Sequence, residues 1–283
     1  MHQLNPDGSM IQQQNAMNYG AIHDGHTVKL SDVPTHWDVS FEDDFRNADS
    51  VFPKLLKLLQ QLPYNEYRPQ TEITDRFLGV AVPKEIILTI QECILSLVVR
   101  SPKYRNHLHQ FNVAIHGRDG RTVEKTEKKL INLNLRHAFD NLRKSMGGRG
   151  KFALLFSKKE FIFGDGFYSN LSSTSQIPPN AFALVPLLPN LAIIYHSPTS
   201  YVSDPQLVTI ELNAEETKSI NDATMIYSKN CVFYRSEQPD INVSFRAREH
   251  HSIDGFSPYL NSFLETLALT RFSTIEPPQP WKA

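Results

Sequence analysis

The hydrophobic period of this chain changes once, at Gly147-Gly148-Arg149-Gly150, and that change limits the available folds more than any other feature. Ahead of it, large apolar residues recur every three or four positions, as on a helix. Behind it they alternate or run together in short blocks, as in strands.

Three helices are expected before the glycines. Phe52, Leu55, Leu56, Leu58, Leu59 and Leu62 follow Ser50, a residue suited to cap a helix, with Pro53 in the first turn and Pro63 as the stop. Pro83 opens a second segment through Ile86, Ile87, Ile90, Ile94, Leu97 and Val98, which ends at Ser101-Pro102. Its apolar side chains cover much of the circumference, which predicts a core helix. Val123 to Met146 places Ile131, Leu135, Ala138 and Leu142 on one face and ends on glycine.

After the glycines, Phe152 to Phe156 and Glu160 to Phe163 flank a Ser157-Lys158-Lys159 turn and read as a hairpin. Further strands are expected at Ala181 to Val185, Leu191 to Tyr195 and Cys231 to Arg235. Helices are expected from Ala214 to Tyr227 and from Pro258 to Arg271, and the tail Pro277 to Pro280 should be extended. The class is therefore α+β: a helical N-terminal half followed by a small mixed β-sheet with flanking helices. Residues 1–40, with the polar cluster Gln12 to Asn15, are expected to form a loosely packed arm; 41–150 form a mainly helical part and 151–283 an α+β part, the last two sharing one core.

Composition narrows the function. With 29 Lys+Arg against 30 Asp+Glu the net charge is −1, so no surface-wide attraction for nucleic acid or anionic lipid exists and only a local patch can supply one. The two cysteines, Cys93 and Cys231, form no C-x-x-C, which argues against a disulfide scaffold and a thiolate zinc site. The polar start lacks the basic and apolar regions of a signal peptide, and no run reaches the roughly 20 apolar residues of a membrane span. The expectation is a cytoplasmic protein without a membrane partner.

The run Arg100-Ser101-Pro102-Lys103-Tyr104-Arg105 resembles the R-T-P-x-x-R step of the bacterial family named domain of unknown function 4238. In that family a strand pair ending in S-D-x-P, a P-L-x-P strand and an N-x5-Y-S segment follow. Here Phe161 to Gly166, Pro186-Leu187-Leu188-Pro189, and Asn221 through Tyr227-Ser228 correspond, over about residues 41–235. The family's His-rich opening segment has no counterpart, and its S-D-x-P turn is replaced by Gly164-Asp165-Gly166. The resemblance implies kinship and brings no activity with it.

Four groups of residues are candidates for chemistry. Arg100 and His107 have the R-x6-H spacing that resembles the HEPN ribonucleases, in which arginine would stabilise phosphate charge and histidine would move a proton; Arg105 lies between them. The alternative is a helix end whose arginines bind carbonyls or a carboxylate. Asp165, between two glycines, would present its carboxylate on a tight turn as a general base or as a ligand for magnesium or manganese, although Gly-Asp-Gly is also plain turn chemistry. Arg143, Lys144, Arg149, Lys151, Lys158 and Lys159 form a stretch free of acidic residues, a candidate phosphate or nucleic-acid contact with the amides of Gly147 to Gly150. His23, Asp24, His26, Asp32, His36 and Asp38, and likewise His250, His251 and Asp254, supply ligand types without a strict metal signature.

No G-x-S-x-G, H-E-x-x-H, Walker or G-x-G-x-x-G motif is present. Two readings follow. One is a nucleic-acid- or nucleotide-directed phosphodiester hydrolase of toxin or phage-defence type, using Arg100, Arg105, His107 and Asp165. The other is a non-catalytic module that recognises a protein partner through its N-terminal arm.

Overall fold

The computed structural model describes residues 2–12, 27–28, 39–40, 42–105, 123–171, 181–197, 204–247, 258–269 and 274–275. In chain order the strands are β1 (His2–Leu4), β2 (Met10–Gln12), β3 (Thr27–Val28), β4 (Val39–Ser40), β5 (Leu78–Val80), β6 (Lys151–Ser157), β7 (Phe163–Gly164), β8 (Tyr168–Ser169), β9 (Ala181–Leu188), β10 (Leu191–Ser197), β11 (Leu207–Leu212), β12 (Val232–Tyr234) and β13 (Thr274–Ile275). The helices are α1 (Glu42–Gln60), α2 (Ile73–Arg76), α3 (Lys84–Arg100), α4 (Val123–Met146), α5 (Ala214–Tyr227), α6 (Val243–Arg246) and α7 (Pro258–Leu269). Among the described residues, no helix is long and apolar enough to cross a membrane.

The class is α+β. A mixed sheet in the order β13-β5-β11-β6-β10-β9-β8 forms the centre, larger than expected because β5, from the helical half, and β13 join it. Alternation within β6 explains its burial on both faces. Phe152, Leu154 and Phe156 pack with Leu55, Leu59, Ile90, Ile94, Val98, Leu135 and Phe139 of α1, α3 and α4. Ala153 and Leu155 point the other way, into the layer of α5 and α7 with Ile220, Ala223, Leu260 and Phe263. Residues on both sides of Gly147–Gly150 therefore build the same core.

The expected hairpin between Phe152–Phe156 and Glu160–Phe163 does not form. Two longer strands compete for β6: it pairs antiparallel with β10 over six residues and parallel with β11 over six. After Ser157 the chain leaves the sheet, and β7 pairs with β12 instead. Pro186 is accommodated inside β9 where, among the described residues, β8 has ended: β8 pairs only with Leu184 and Ala183. The first helix begins at Glu42, ahead of the expected Ser50 cap, with Pro53 inside it. Phe45 and Ala48, buried at 0% and 2% exposure, hold the extra turns to the core.

The N-terminal segment departs from the expected loose arm over residues 2–12. Asn5-Pro6-Asp7-Gly8 is a tight turn, with the Gly8 N–H donating to the Asn5 carbonyl and Gly8 at φ +87°. It joins β1 and β2 into a hairpin that adds to β12, forming a second sheet, β2-β1-β12-β7. Leu4 is fully buried there with Ile162, Met225, Val232 and Phe245. The histidine and aspartate group from His23 to Asp38, the pair His250-His251 with Asp254, and the tail Pro277 to Pro280 lie outside the described residues.

Candidate functional site

The R-S-P-K-Y-R step marks a break in the helix with a specific cause. A residue before proline is driven out of the α region, and Ser101 accordingly sits at φ −64°, ψ 146°. Its Oγ donates to the Val98 carbonyl at 2.7 Å and accepts from the Tyr104 N–H at 3.3 Å. Ser101 thus closes α3 and caps a new helical turn over 102–105, with Pro102 in the first position.

Of the three candidate residues around the break, Arg100 and Arg105 are described, and both make internal contacts. Arg100 makes a bidentate pair with Asp49 of α1 at 2.6 and 2.9 Å, donates through Nε to the Ser96 carbonyl, and lies over the Phe45 ring. It is a clamp between α1 and α3. Arg105 donates its Nε to the Arg100 carbonyl. His107 lies outside the described residues.

Asp165 is held in the turn between β7 and β8. Its Oδ1 accepts from the Lys229 N–H at 2.6 Å, and its Oδ2 accepts from the Asn230 N–H at 2.9 Å and the Asn230 side-chain amide at 2.8 Å. The carboxylate therefore ties the turn to the loop leaving α5. Gly164 and Gly166 are demanded by close approach: a Cβ at 164 would run into Ser228 Oγ, and one at 166 into the Tyr227 carbonyl. Among the described residues, no group of three or more His, Cys, Asp or Glu side chains gathers at a metal-sized site, so Asp165 gains no co-ligands there. Asp165→Asn should lower stability by about 1–2 kcal/mol in urea titration, because one acceptor oxygen is replaced by a donor that faces N–H groups. A cost below about 0.5 kcal/mol would contradict this anchoring role.

The basic stretch is contiguous in sequence and divided in space. Arg143, Lys144 and Arg149 are exposed at one end of β6, and Lys158 and Lys159 lie beyond the other, about 20 Å away at ~3.3 Å per strand residue. Between them Lys151 is buried at 3% exposure. Arg143 faces Glu92 at 3.8 Å and Asp140 at 3.6 Å; Lys158 faces Glu211 and Lys159 faces Glu237, each at 3.3 Å. The amides expected to hold phosphate are also used internally. Gly147 donates to the Arg143 carbonyl, Gly148 to the Gln91 side chain and Arg149 to the Met146 carbonyl.

What the R-S-P-K-Y-R step does bring inward is the pair that its arginines flank. Lys103 and Tyr104 line a cavity of about 80 Å³ whose walls include Val98, Phe167, Ser169 and Leu171. The Lys103 Nζ lies 3.7 Å from the centre of the Tyr227 ring, and its stem passes Gly166. Burial lowers its pKa to about 7, against the opposing attraction of Asp165. Tyr104 is 5% exposed, and among the described residues its hydroxyl has no hydrogen-bond partner. Burial raises its pKa, so it stays a neutral donor. Within this step the side chains that line the cavity are Lys103 and Tyr104, a placement that no local spacing encodes.

Fold and site together define an α+β protein: a central mixed sheet between two helical layers, a small second sheet, and a lysine-lined cavity where α3 meets the turn between β7 and β8. The chain matches no protein-family model, and neither a curated protein nor a solved structure matches it.

Proposed function

We propose that the protein is a recognition module that offers the β2 edge of its N-terminal hairpin to an extended segment of a protein partner. The observation that carries this reading is the character of β2. Met10 and Ile11 are 54% and 46% exposed in a strand that, among the described residues, has β1 as its one neighbour. Its three residues carry no charge, proline or bulge, the devices that usually keep an edge from pairing. Val243, at 81% exposure, follows Ile241, which packs in the small core beneath this sheet.

The hydrogen-bond phase of the hairpin indicates which groups would pair. The Asn5 N–H donates to the Ser9 carbonyl, so the next bonded pair is Gln3 with Ile11, and the N–H and C=O of Met10 and Gln12 point to the outer edge. A partner strand would take these groups by β-augmentation.

The competing reading asks Arg100, Arg105, His107 and Asp165 to meet at one phosphodiester. Arg100 and Asp165 are already engaged by internal partners, which is why the recognition reading is preferred. A cytoplasmic setting goes with the proposal, supported by Cys93 and Cys231 as separate, buried, free thiols. The kinship suggested by the R-S-P-K-Y-R step belongs to it without adding an activity.

The test is a displayed library of extended peptides panned on the full chain, with selected peptides titrated against wild type and Met10→Pro. Proline at position 10 removes an outward donor and spares the ladder to β1. Binding should fall at least tenfold in Met10→Pro. Peptides that bind both proteins equally, or no enrichment on folded protein, would overturn the reading. End-labelled RNA and DNA should stay intact with magnesium, with manganese and with chelator; cleavage lost in Asp165→Asn would restore the hydrolase.

A further inference from the structure

We propose that the cavity beside Lys103 and Tyr104 binds a small monocarboxylate, its charged head on the Lys103 ammonium and the Tyr104 hydroxyl and its short alkyl part against Val98, Phe167 and Leu171. This site is separate from the β2 edge and does not depend on the recognition reading.

The polarity of the lining selects an anion. Lys103 can only donate, and the Tyr104 hydroxyl is buried without a partner among the described residues, a state that costs free energy unless an acceptor arrives. Ser169 Oγ already accepts from the Leu171 N–H, which leaves its own proton to donate. Ser101, also in the lining, is spent on the Val98 carbonyl and the Tyr104 N–H. Among the lining side chains, donors thus outnumber free acceptors.

Size and walls select the rest. About 80 Å³ exceeds the ~15 Å³ that holds one water and falls short of the ~150 Å³ of a benzene-sized cavity. A carboxylate with a few carbons fits, and the apolar walls favour it over inorganic phosphate, which has no alkyl part to bury.

The surroundings of Lys103 tune this binding. Asp165 faces it from the turn between β7 and β8, and the Tyr227 ring faces it from α5. Tyr104, Tyr168 and Cys231 are kept neutral nearby by burial, which raises all three. With the amine titrating about pH 7, its ammonium is poised to be completed by an arriving carboxylate.

The test is titration of the full chain with acetate, propionate, butyrate and inorganic phosphate, followed by NMR and calorimetry at pH 6, 7 and 8. Affinity should rise about fourfold for each added CH2 until the cavity is full. It should fall with pH above about 7, approaching tenfold per unit as the ammonium is lost. Lys103→Met should weaken butyrate at least tenfold, and Tyr104→Phe about three- to tenfold. Should Lys103→Met fail to fold, Tyr104→Phe, the alkyl series and the pH profile still decide. Absence of saturable binding, equal binding of phosphate, a flat pH profile, or butyrate binding unchanged in folded variants would each overturn the proposal.

Discussion

Replacing Arg76 with alanine should lower stability by about 3–5 kcal/mol, the usual loss when one partner of a buried ion pair is removed. Arg76 is 4% exposed at the end of the short helix α2. Both terminal nitrogens reach Glu216 at 2.7 Å, Nη2 also reaches the Glu211 carbonyl at 2.5 Å, and the guanidinium lies over the Tyr67 ring. One side chain therefore fastens the segment after α1 to the end of β11 and the start of α5. Glu216 is itself the third residue of a capping box, accepting from the Asn213 N–H while Asn213 accepts from its own. Without Arg76 its carboxylate is left largely buried with only the cap. Glu216→Gln keeps the reach of the side chain and removes the charge, so it should cost about 1–2 kcal/mol, and the double variant should cost less than the sum. Urea denaturation of the four proteins measures this. A loss under about 1 kcal/mol in Arg76→Ala would mean that the clamp contributes little.

That clamp also shows what sequence reading reaches. α4 and α5 have the expected bounds, Val123–Met146 and Ala214–Tyr227, because each carries its own helical period, with glycine stopping the first. In β11, Thr209 and Glu211 alternate with apolar residues like the solvent side of a half-exposed strand. Both are buried, at 0% and 2%, because residues 63–67 cross over them: Thr209 Oγ1 donates to the Pro63 carbonyl and the Tyr67 N–H donates to Glu211. No local pattern announces a cover that lies more than a hundred residues away.

The N-terminal hairpin differs from the loosely packed arm expected of residues 1–40. Asn5-Pro6-Asp7-Gly8 is strong turn chemistry, but the flanking residues are too polar to predict strands, and their order comes from pairing with β12. The candidate site follows the same division. The proline break and the glycine turn around Asp165 were found from residue types alone. Which side chain beside Pro102 turns inward is decided by how α3, β8 and α5 close together, and so Lys103 and Tyr104 emerge only from the fold.

Gly150→Ala should cost about 3–4 kcal/mol, more than strain or crowding alone. Gly150 has φ +96°, and a Cβ there would stand 2.5 Å from Tyr195 Cε2 and 2.9 Å from the His196 carbonyl. Tyr195 is fully buried in the main core and cannot yield without moving β10. A flexible phosphate-binding linker would tolerate alanine with a cost near that of backbone strain, about 1–2 kcal/mol. The neighbours argue for a fixed corner instead. Gln91 of α3 accepts from the Gly148 N–H, and Gln206 Nε2 donates to the carbonyls of Gly148 at 2.6 Å and Gly150 at 3.2 Å. Gly147→Ala supplies the comparison: at φ +52° its Cβ would come no closer than 3.4 Å, to the Lys144 carbonyl, so it should cost about 1–2 kcal/mol. Thermal and urea unfolding of both variants separate the two contributions. Equal costs at 147 and 150 would mean that conformational strain alone acts and that Tyr195 gives way. A larger cost at 150 identifies the Gly147–Gly150 corner as the rigid joint through which the helical layer and β6 share one core.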